Sequence, residues 1–238
     1  MQVVILSGGY GTRLSEETKI VPKALVKIGN KPIIVHLIKY YQSFGYTDFI
    51  ICLGYKGNLI NQFFLKEKNK KYLKNINIKL INTGLKSYTG ERIRKIKKYI
   101  KGNFFLTYCD GLSDIDLKKT LNLFNRSKKI GLVSAINPSS RFGVLSIDSK
   151  NTVLNFDEKS KSANTWINAG FFIFSKDVFK FIKGKNPIFE RLPLISLSKK
   201  KQLVAYKHKG FWQCMDTLKD KIILMKIWKT NKAPWKND

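Results

Sequence analysis

A glycine-rich segment near the start of the chain has the composition of a phosphate-binding loop. It runs Leu6-Ser7-Gly8-Gly9-Tyr10-Gly11-Thr12-Arg13 and follows an apolar run at residues 3–6. Glycines directly after a strand let backbone N–H groups approach a phosphate without interference from a Cβ atom. Arg13 closes the segment and Lys23 comes ten residues later. Two cations at a glycine loop suit a triphosphate, because its transfer depends on neutralising charge.

The spacing of these glycines excludes two common nucleotide-binding loops. A Walker A loop requires G-x-x-x-x-G-K-[ST], and the dinucleotide fingerprint requires a third glycine where Leu14 stands. A glycine-rich turn alone is as often structural as functional. The two cations are what favour the functional interpretation.

Two aspartates are candidates for holding a divalent cation. Asp110 follows an apolar run at residues 104–108, at the kind of strand end where open α/β sheets bind ligands. A lone aspartate there is as often a turn residue, so a Mg²⁺ site needs a second carboxylate, for which Asp216 is a candidate. Asp114 and Asp116 follow closely, and we expect both to cap the next helix.

The elements between these residues must bring them together. Apolar runs of strand length alternate with helix-period segments over the first 130 residues. We predict strands at Val3–Leu6, Asp48–Leu53, Ile76–Ile81 and Phe104–Tyr108, and helices at Pro32–Phe44, Asn58–Lys66 and Thr89–Lys101. The alternation predicts an α/β fold with a mostly parallel central sheet and helices on both faces.

Short strands dominate after about residue 130. We predict them at Gly131–Ile136, Val144–Ile147, Val153–Phe156, Ile167–Phe174 and Leu203–Tyr206, before a closing helix at Thr217–Trp228. No linker, low-complexity tract or internal repeat interrupts the sequence. We therefore expect a single domain over residues 1–238, with a first half to about residue 130 and a strand-rich second half. The aromatic pairs Phe171-Phe172 and Phe211-Trp212 are expected in its core.

The composition indicates a folded and unusually basic protein. Among 238 residues, 43% are hydrophobic and 13% aromatic, which excludes intrinsic disorder. The 45 basic residues exceed the 16 acidic ones and give a formal charge of +29, a value typical of nucleic-acid binders. Only six of the cations are arginine, the residue that base readout favours. We therefore expect most lysines, and the basic face of the Thr89–Lys101 helix, to be solvated.

Cysteine usage and the apolar runs indicate the cellular compartment. Cys52, Cys109 and Cys214 are odd in number and widely spaced, which argues against a disulfide scaffold or a zinc site. The four apolar residues at the start are too few for a signal peptide, and no run approaches the roughly 20 residues of a membrane span. We expect a cytoplasmic protein with no membrane partner.

Several strings of the sequence resemble the sugar-1-phosphate nucleotidyltransferase family. L-S-G-G-Y-G-T-R-L with P-K downstream is similar to the family's L-A-G-G-x-G-T-R-L…P-K signature. The strings Ile167–Phe172, Gly210–Gln213, Met215–Leu218 and Ala233–Lys236 extend the resemblance, in order, over nearly the whole chain. The Phe-Trp-Gln and Ala-Pro-Trp-Lys strings resemble its cytidylyltransferase branch. The resemblance implies a Rossmann-like nucleotidyltransferase fold with a strand-rich sugar-binding lobe.

The resemblance also implies a role for individual residues. It implies nucleotide contacts for Leu6, Ser7, Gly8, Gly9, Tyr10, Gly11, Thr12, Arg13, Lys23, Ser87, Arg92 and, through its backbone, Cys109. It implies sugar-phosphate contacts for Arg141, Glu158, Lys159, Asn168 and Gly170, and Mg²⁺ coordination for Asp110 and Asp216. Arg13 and Lys23 would be the catalytic pair, because both would contact phosphate oxygens during transfer.

The activity implied by the resemblance is Mg²⁺-dependent transfer of a cytidylyl group from CTP to glucose 1-phosphate or a related sugar 1-phosphate, releasing pyrophosphate. Thymidylyl, uridylyl or guanylyl transfer to another sugar 1-phosphate is the nearest alternative. A non-catalytic basic protein that binds nucleic acid or lipid is the alternative from another class. A protein that kept the fold but only bound ligands would be expected to lose at least one of four residues. All four are present here, namely Arg13, Lys23, Asp110 and Asp216. We expect a homo-oligomer with no nucleic-acid partner.

Overall fold

A computed structural model describes residues 1–67, 73–138, 144–157 and 165–236. Its strands are β1 (Gln2–Ser7), β2 (Lys27–Ile28), β3 (Lys31–Pro32), β4 (Asp48–Leu53), β5 (Asn77–Asn82), β6 (Phe104–Tyr108), β7 (Gly111–Ser113), β8 (Gly131–Ile136), β9 (Val144–Ile147), β10 (Val153–Asp157), β11 (Ile167–Phe174), β12 (Leu203–His208) and β13 (Trp212–Cys214). Its α-helices are α1 (Ser15–Thr18), α2 (Ile33–Ser43), α3 (Gly57–Glu67), α4 (Thr89–Lys95), α5 (Leu117–Ser127), α6 (Leu192–Lys199) and α7 (Leu218–Lys229).

Seven of these strands form one central sheet in the order β12-β8-β11-β6-β1-β4-β5. All neighbours are parallel except β11, which runs antiparallel to both β6 and β8. Strands β1 and β6 are adjacent, with Leu6 opposite Tyr108, so their carboxyl ends lie side by side. The predicted mostly parallel sheet is confirmed, and strands from both halves of the sequence share it.

Both faces of the central sheet are covered by apolar side chains. Val3 and Ile5 belong to one core cluster and Val4 to the other, as the period-two alternation of a strand requires. Helix α2 packs on the first face, whereas α4 and α6 contribute Ile93 and Leu197 to the second. A strand covered on both faces reads as a continuous apolar run, which is why β1 is recognisable in the sequence.

Two expectations about local structure were wrong, and one helix was missed. The helix predicted at Thr89–Lys101 ends at Lys95 and is followed by a 3₁₀ turn at Lys97–Tyr99, which keeps Ile96 and Ile100 buried. Helix α6 was not predicted, because its mostly apolar sequence has no polar face at helical spacing. Asp116 caps α5, as expected, because its Oδ1 accepts from the Lys119 amide. Asp114 does not cap the helix, and its Oδ1 lies 3.0 Å from His208 Nε2.

Strands β9 and β10 form a separate antiparallel ribbon. None of its residues from Leu145 to Ile147 or in β10 is buried. The longest helix in the described ranges, α7, has 12 residues, and no helix there has the length and apolar character needed to cross a membrane.

Candidate active site

A pocket of about 940 Å³ opens at the carboxyl ends of β1 and β6. Every described residue assigned a site role from the sequence lines it, namely Leu6, Ser7, Gly8, Gly9, Tyr10, Gly11, Thr12, Arg13, Lys23, Ser87, Arg92, Cys109, Asp110, Asn168, Gly170 and Asp216. Arg141, Glu158 and Lys159 lie outside the described residues, so their sugar-phosphate contacts stay predictions. The volume suits a small-molecule ligand rather than a macromolecule.

The glycine loop turns sharply at Gly11, whose φ of 68° is the left-handed conformation that favours glycine. A Cβ atom at this position would lie 2.8 Å from Thr18 Cγ2. The Thr18 hydroxyl hydrogen bonds to the Gly11 carbonyl at 3.0 Å and fixes the turn. The turn starts the 3₁₀ segment that carries Arg13, whose side chain is 72% exposed.

Lys23 joins the two candidate carboxylates. Its Nζ atom donates to Asp110 Oδ2 at 2.5 Å and to Asp216 Oδ1 at 2.6 Å. Arg13 Nη1 donates to the other oxygen of Asp216 at 2.6 Å. Four residues from three distant parts of the sequence therefore converge on one point of the pocket.

Opposite charges keep Lys23 and Asp216 ionised. Burial alone would lower the pKa of Lys23, but the charge and hydrogen bond of Asp110, followed by the hydrogen bond of Asp216, outweigh it and raise that pKa above its ordinary value. Burial would raise the pKa of Asp216, but Lys23 and Arg13 outweigh it and the pKa is lowered from 3.8. The stability that Asp216 contributes is thus present above pH 3.8 and is lost as the pH falls through the lowered value.

Backbone contacts place the two carboxylates. Asp110 follows β6, and Asp216 follows β13, which pairs with β7. The Met215 amide donates to the Asp110 carbonyl at 2.9 Å, which ties the two segments together next to the carboxylates. Asp220 Oδ2 accepts from the amides of Asp216 and Thr217 and completes a capping box with Thr217 at the start of α7.

Arg92 corrects the expectation of a fully solvated basic helix face. Its side chain is buried, with 4% exposure for the residue. Its guanidinium donates to Thr83 Oγ1 and to the carbonyls of Leu53, Gly84, Gly8 and Leu85. Within the described ranges no carboxylate pairs with Arg92. Arg92 therefore carries its positive charge into the lining of the pocket, with its guanidinium satisfied by neutral acceptors.

Two glycines are required by the packing of this guanidinium. A Cβ atom at Gly8 would lie 2.2 Å from Arg92 Cζ, and one at Gly54 would lie 2.5 Å from Arg92 Nη1. A Cβ atom at Gly9 would meet nothing within 4 Å. The first glycine of the loop therefore makes room for Arg92, and the second lies open toward the pocket.

We predict that Gly8→Ala lowers the free energy of unfolding by about 1–3 kcal/mol, because the added methyl group must displace Arg92. Gly9→Ala is the matched control and should change stability by less than about 0.5 kcal/mol. Urea denaturation of both variants measures the difference. Equal stability of the two variants would contradict the packing role of Arg92.

Part of the pocket lining comes from β6, β11 and β13. Gly170 has a φ of 79°, and a Cβ atom there would lie 2.6 Å from Tyr108 Cδ2. Its amide donates to Asn168 Oδ1 at 2.8 Å, which orients the Asn168 side chain. Trp212 was expected in the core but lines the pocket, with its Nε1 donating to the Ala169 carbonyl at 2.7 Å.

The remaining aromatic residues of that group follow the expectation. Phe171 and Phe172 are buried in the core, and Phe211 packs against the buried Trp235 with ring centroids 5.4 Å apart. Of the four residues in the two aromatic pairs, only Trp212 lines the pocket.

The cysteines of the pocket are unsuited to thiolate chemistry. Burial, and then the nearby aspartates, raise the pKa of Cys109 and of Cys214 to about 12. Both side chains therefore stay protonated at neutral pH. A contact of Cys109 through its backbone stays a prediction.

A family model described as "Nucleotidyl transferase" matches residues 2–221. The chain belongs to the nucleotidyl transferase family. It is 40% identical to the glucose-1-phosphate cytidylyltransferase of Salmonella typhi over 255 aligned residues, covering 99% of each chain. It is 32% identical to the D-glycero-alpha-D-manno-heptose 1-phosphate guanylyltransferase of Campylobacter jejuni over 179 residues, covering 75% of this chain and 78% of that one.

Solved structures confirm the fold of this nucleotidyl transferase. HddC from Yersinia pseudotuberculosis matches with a TM-score of 0.74 and 26% identity, covering 95% of this chain and 99% of that one. A UDP-glucose pyrophosphorylase matches with a TM-score of 0.74 and 20% identity, covering 97% of this chain and 98% of that one. The second match supports the fold alone.

The carboxylates of the nucleotidyl transferase have the chemistry for a Mg²⁺ ion. Mg²⁺ takes oxygen ligands at about 2.0–2.1 Å, usually one or two carboxylates, and keeps several waters. Asp110 and Asp216 both contact Lys23 Nζ, so the two carboxylates lie close enough to bind the same metal ion. In the described part of the chain, no group of three or more His, Cys, Asp and Glu side chains is arranged for a metal. The pair therefore fits Mg²⁺ and does not resemble a closed zinc site.

Several polar or aromatic residues of the pocket were not assigned a role from the sequence. Among them are Tyr108, Thr89, Asn186 and Glu190. Tyr108 could have been found, because it ends the strand that leads to Asp110. Glu190 stands in Ile188-Phe189-Glu190-Arg191, which has no recognisable pattern.

Proposed function

We propose that the protein transfers a cytidylyl group from CTP to glucose 1-phosphate, releasing pyrophosphate and forming a CDP-sugar. The observation that carries this proposal is the 40% identity to a glucose-1-phosphate cytidylyltransferase over 99% of both chains. The convergence of Arg13, Lys23, Asp110 and Asp216 on one pocket supports it, since this set meets the needs of phosphoryl chemistry.

The proposed reaction requires no general base. An oxygen of the sugar phosphate attacks the α-phosphorus of CTP in line, and the bond from that phosphorus to the bridging oxygen of the β-phosphate breaks. The nucleophile is already an anion, so no proton must be removed from it. Neither His36 nor His208 lines the pocket, which agrees with this scheme.

The main requirement is to bring two polyanions together. We propose that Arg13 and Lys23 bind phosphate oxygens and orient the α-phosphorus toward the sugar phosphate. Both cations pair with Asp216, so the substrate phosphates would compete with that carboxylate for them. Asp110 and Asp216 would hold Mg²⁺, which when bound offsets the charge of the reacting and leaving phosphates.

The charge of +29 has a place in this proposal. Among the described residues, the arginines and lysines that line the pocket are Arg13, Lys23, Lys86 and Arg92. The remaining cations would attract anionic substrates over a longer range, an effect that salt weakens. We expect no nucleic-acid partner, a homo-oligomer and a cytoplasmic location.

Pyrophosphate release tests the proposed function. With Mg²⁺ and glucose 1-phosphate, we expect kcat/KM for CTP to exceed the values for UTP, dTTP and GTP at least about tenfold, a difference of about 1.4 kcal/mol in transition-state binding. A higher value for another nucleotide would replace the cytidylyl assignment. If no sugar 1-phosphate supports release with any nucleotide, the enzymatic proposal fails. Reactions without sugar phosphate serve as the control.

A further inference from the structure

Glu190 is held at the pocket wall by two hydroxyl groups. Thr89 Oγ1 donates to Glu190 Oε2 at 2.5 Å, and Tyr108 Oη donates to Glu190 Oε1. The Thr89 hydroxyl itself accepts from the Phe189 amide at 2.9 Å. These contacts fix both oxygens of the carboxylate and hence its orientation.

The residues around Tyr108 include expected sugar contacts. A Cβ atom at Gly170 would lie 2.6 Å from Tyr108 Cδ2, and the Gly170 amide donates to Asn168 Oδ1 at 2.8 Å. Glu190 is thus hydrogen bonded to Thr89, which is near the expected nucleotide contacts in the sequence, and to Tyr108, which lies against Gly170.

Glu190 retains accepting capacity toward the cavity. A carboxylate offers about four lone-pair positions, of which these two hydroxyls occupy two. Within the described ranges no lysine or arginine forms an ion pair with Glu190, so its negative charge is not cancelled locally. Glu190 also lines the pocket directly. Its free positions can therefore accept hydrogen bonds from a ligand.

The charge of this acceptor determines which ligand group it can bind. A carboxylate repels phosphate oxygens, which have the cations Arg13 and Lys23 elsewhere in the pocket. Hydroxyl groups are suitable partners, because they donate and carry no charge. Both substrates of the proposed reaction present hydroxyls, on the hexose and on the ribose.

We propose that Glu190 is a specificity-determining residue that accepts a hydrogen bond from a sugar-ring hydroxyl of the substrates. This inference rests on the proposed function and deepens it. Tyr108 and Thr89 are positioning residues, because they orient the carboxylate and leave its remaining lone pairs for the ligand.

The test compares Glu190→Gln with the native protein on substrates that lack single hydroxyls. The hexose arm uses glucose 1-phosphate and its 2-, 3-, 4- and 6-deoxy analogues, and the ribose arm uses CTP and its 2′- and 3′-deoxy analogues. Native protein should lose about 10- to 100-fold in kcat/KM when the bound hydroxyl is missing. In Glu190→Gln the penalty for that one analogue should fall to about threefold or less, while the other penalties persist.

Two further variants exclude a merely structural effect. Glu190→Gln keeps one accepting oxygen but loses the negative charge that strengthens the hydrogen bond, whereas Glu190→Asp retains the carboxylate and should restore part of the lost discrimination. Glu16→Gln, an exposed position outside the pocket lining, should leave every ratio unchanged. Melting temperatures of all variants establish that each is folded.

The outcomes separate the inference from the function on which it rests. Loss of one hydroxyl penalty in either arm supports the proposal and identifies the sugar. If kcat falls while every penalty is retained, Glu190 is structural and the proposal is wrong. If the altered ratio is that of CTP to UTP, the group bound is the base amino group, which also overturns it. Inactivity of the native protein with all substrates would instead refute the proposed function.

Discussion

Lys23→Met should lower kcat about 100- to 1000-fold or more while the protein remains folded. The expected loss is large because the Lys23 ammonium would bind phosphate oxygens where charge develops during transfer. The substitution also leaves Asp110 and Asp216 facing each other without the cation that now joins them. We expect it to lower the free energy of unfolding by about 1–3 kcal/mol. Steady-state pyrophosphate release and urea denaturation measure the two effects.

Lys27→Met is the matched control for this variant. Lys27 is exposed on β2, four residues from Lys23, and is not part of the pocket lining. It should retain native activity and stability. A Lys23→Met protein with a native kcat would show that the lysine serves only to neutralise the two aspartates.

Asp110→Asn should lower kcat at least about 1000-fold and change the melting temperature by only a few degrees. An amide retains the shape of the side chain but is a much weaker Mg²⁺ ligand than a carboxylate. Stability should change little, because Lys23 keeps its contact with Asp216 in this variant. Pyrophosphate release over a range of Mg²⁺ concentrations, together with a thermal melt, tests both parts.

Chelation and a control variant complete this experiment. Removing divalent cations with EDTA should abolish the native activity, and Mg²⁺ should restore it. Asp177→Asn removes an exposed carboxylate that pairs with Lys180, so it should behave as the native protein does. Large destabilisation of Asp110→Asn with full activity per folded molecule would mean that Asp110 is structural.

Site residues that directly follow a buried strand could be assigned from the sequence. Asp110 could be assigned because β6 is an apolar run and parallel strands bring their carboxyl ends to one edge of a sheet. The glycine loop could be assigned for the same reason, since β1 precedes it. In both cases the local pattern contains the information that determines the position.

Residues whose surroundings come from distant segments could not be assigned in this way. Helical spacing placed Arg92 on a basic face, but its acceptors are mainly carbonyls of distant segments, including those of Gly8 and Leu53. Asp114 was expected at a helix cap, but β12 brings His208 next to it. Glu190 is oriented by Thr89 and Tyr108, neither of which is near it in the sequence. Tertiary contacts decide all three positions.

The hydrogen bond between the Met215 amide and the Asp110 carbonyl has a consequence for the assembly of the site during folding. Asp110 follows β6, whereas Asp216 follows β13, whose position is fixed by its pairing with β7. A folding intermediate that contained the glycine loop and β6 without this pairing would have Lys23 and one carboxylate without the second. Recovered turnover in a refolding experiment would therefore report that the β7–β13 pairing has formed, which far-ultraviolet circular dichroism of the helices would not reveal.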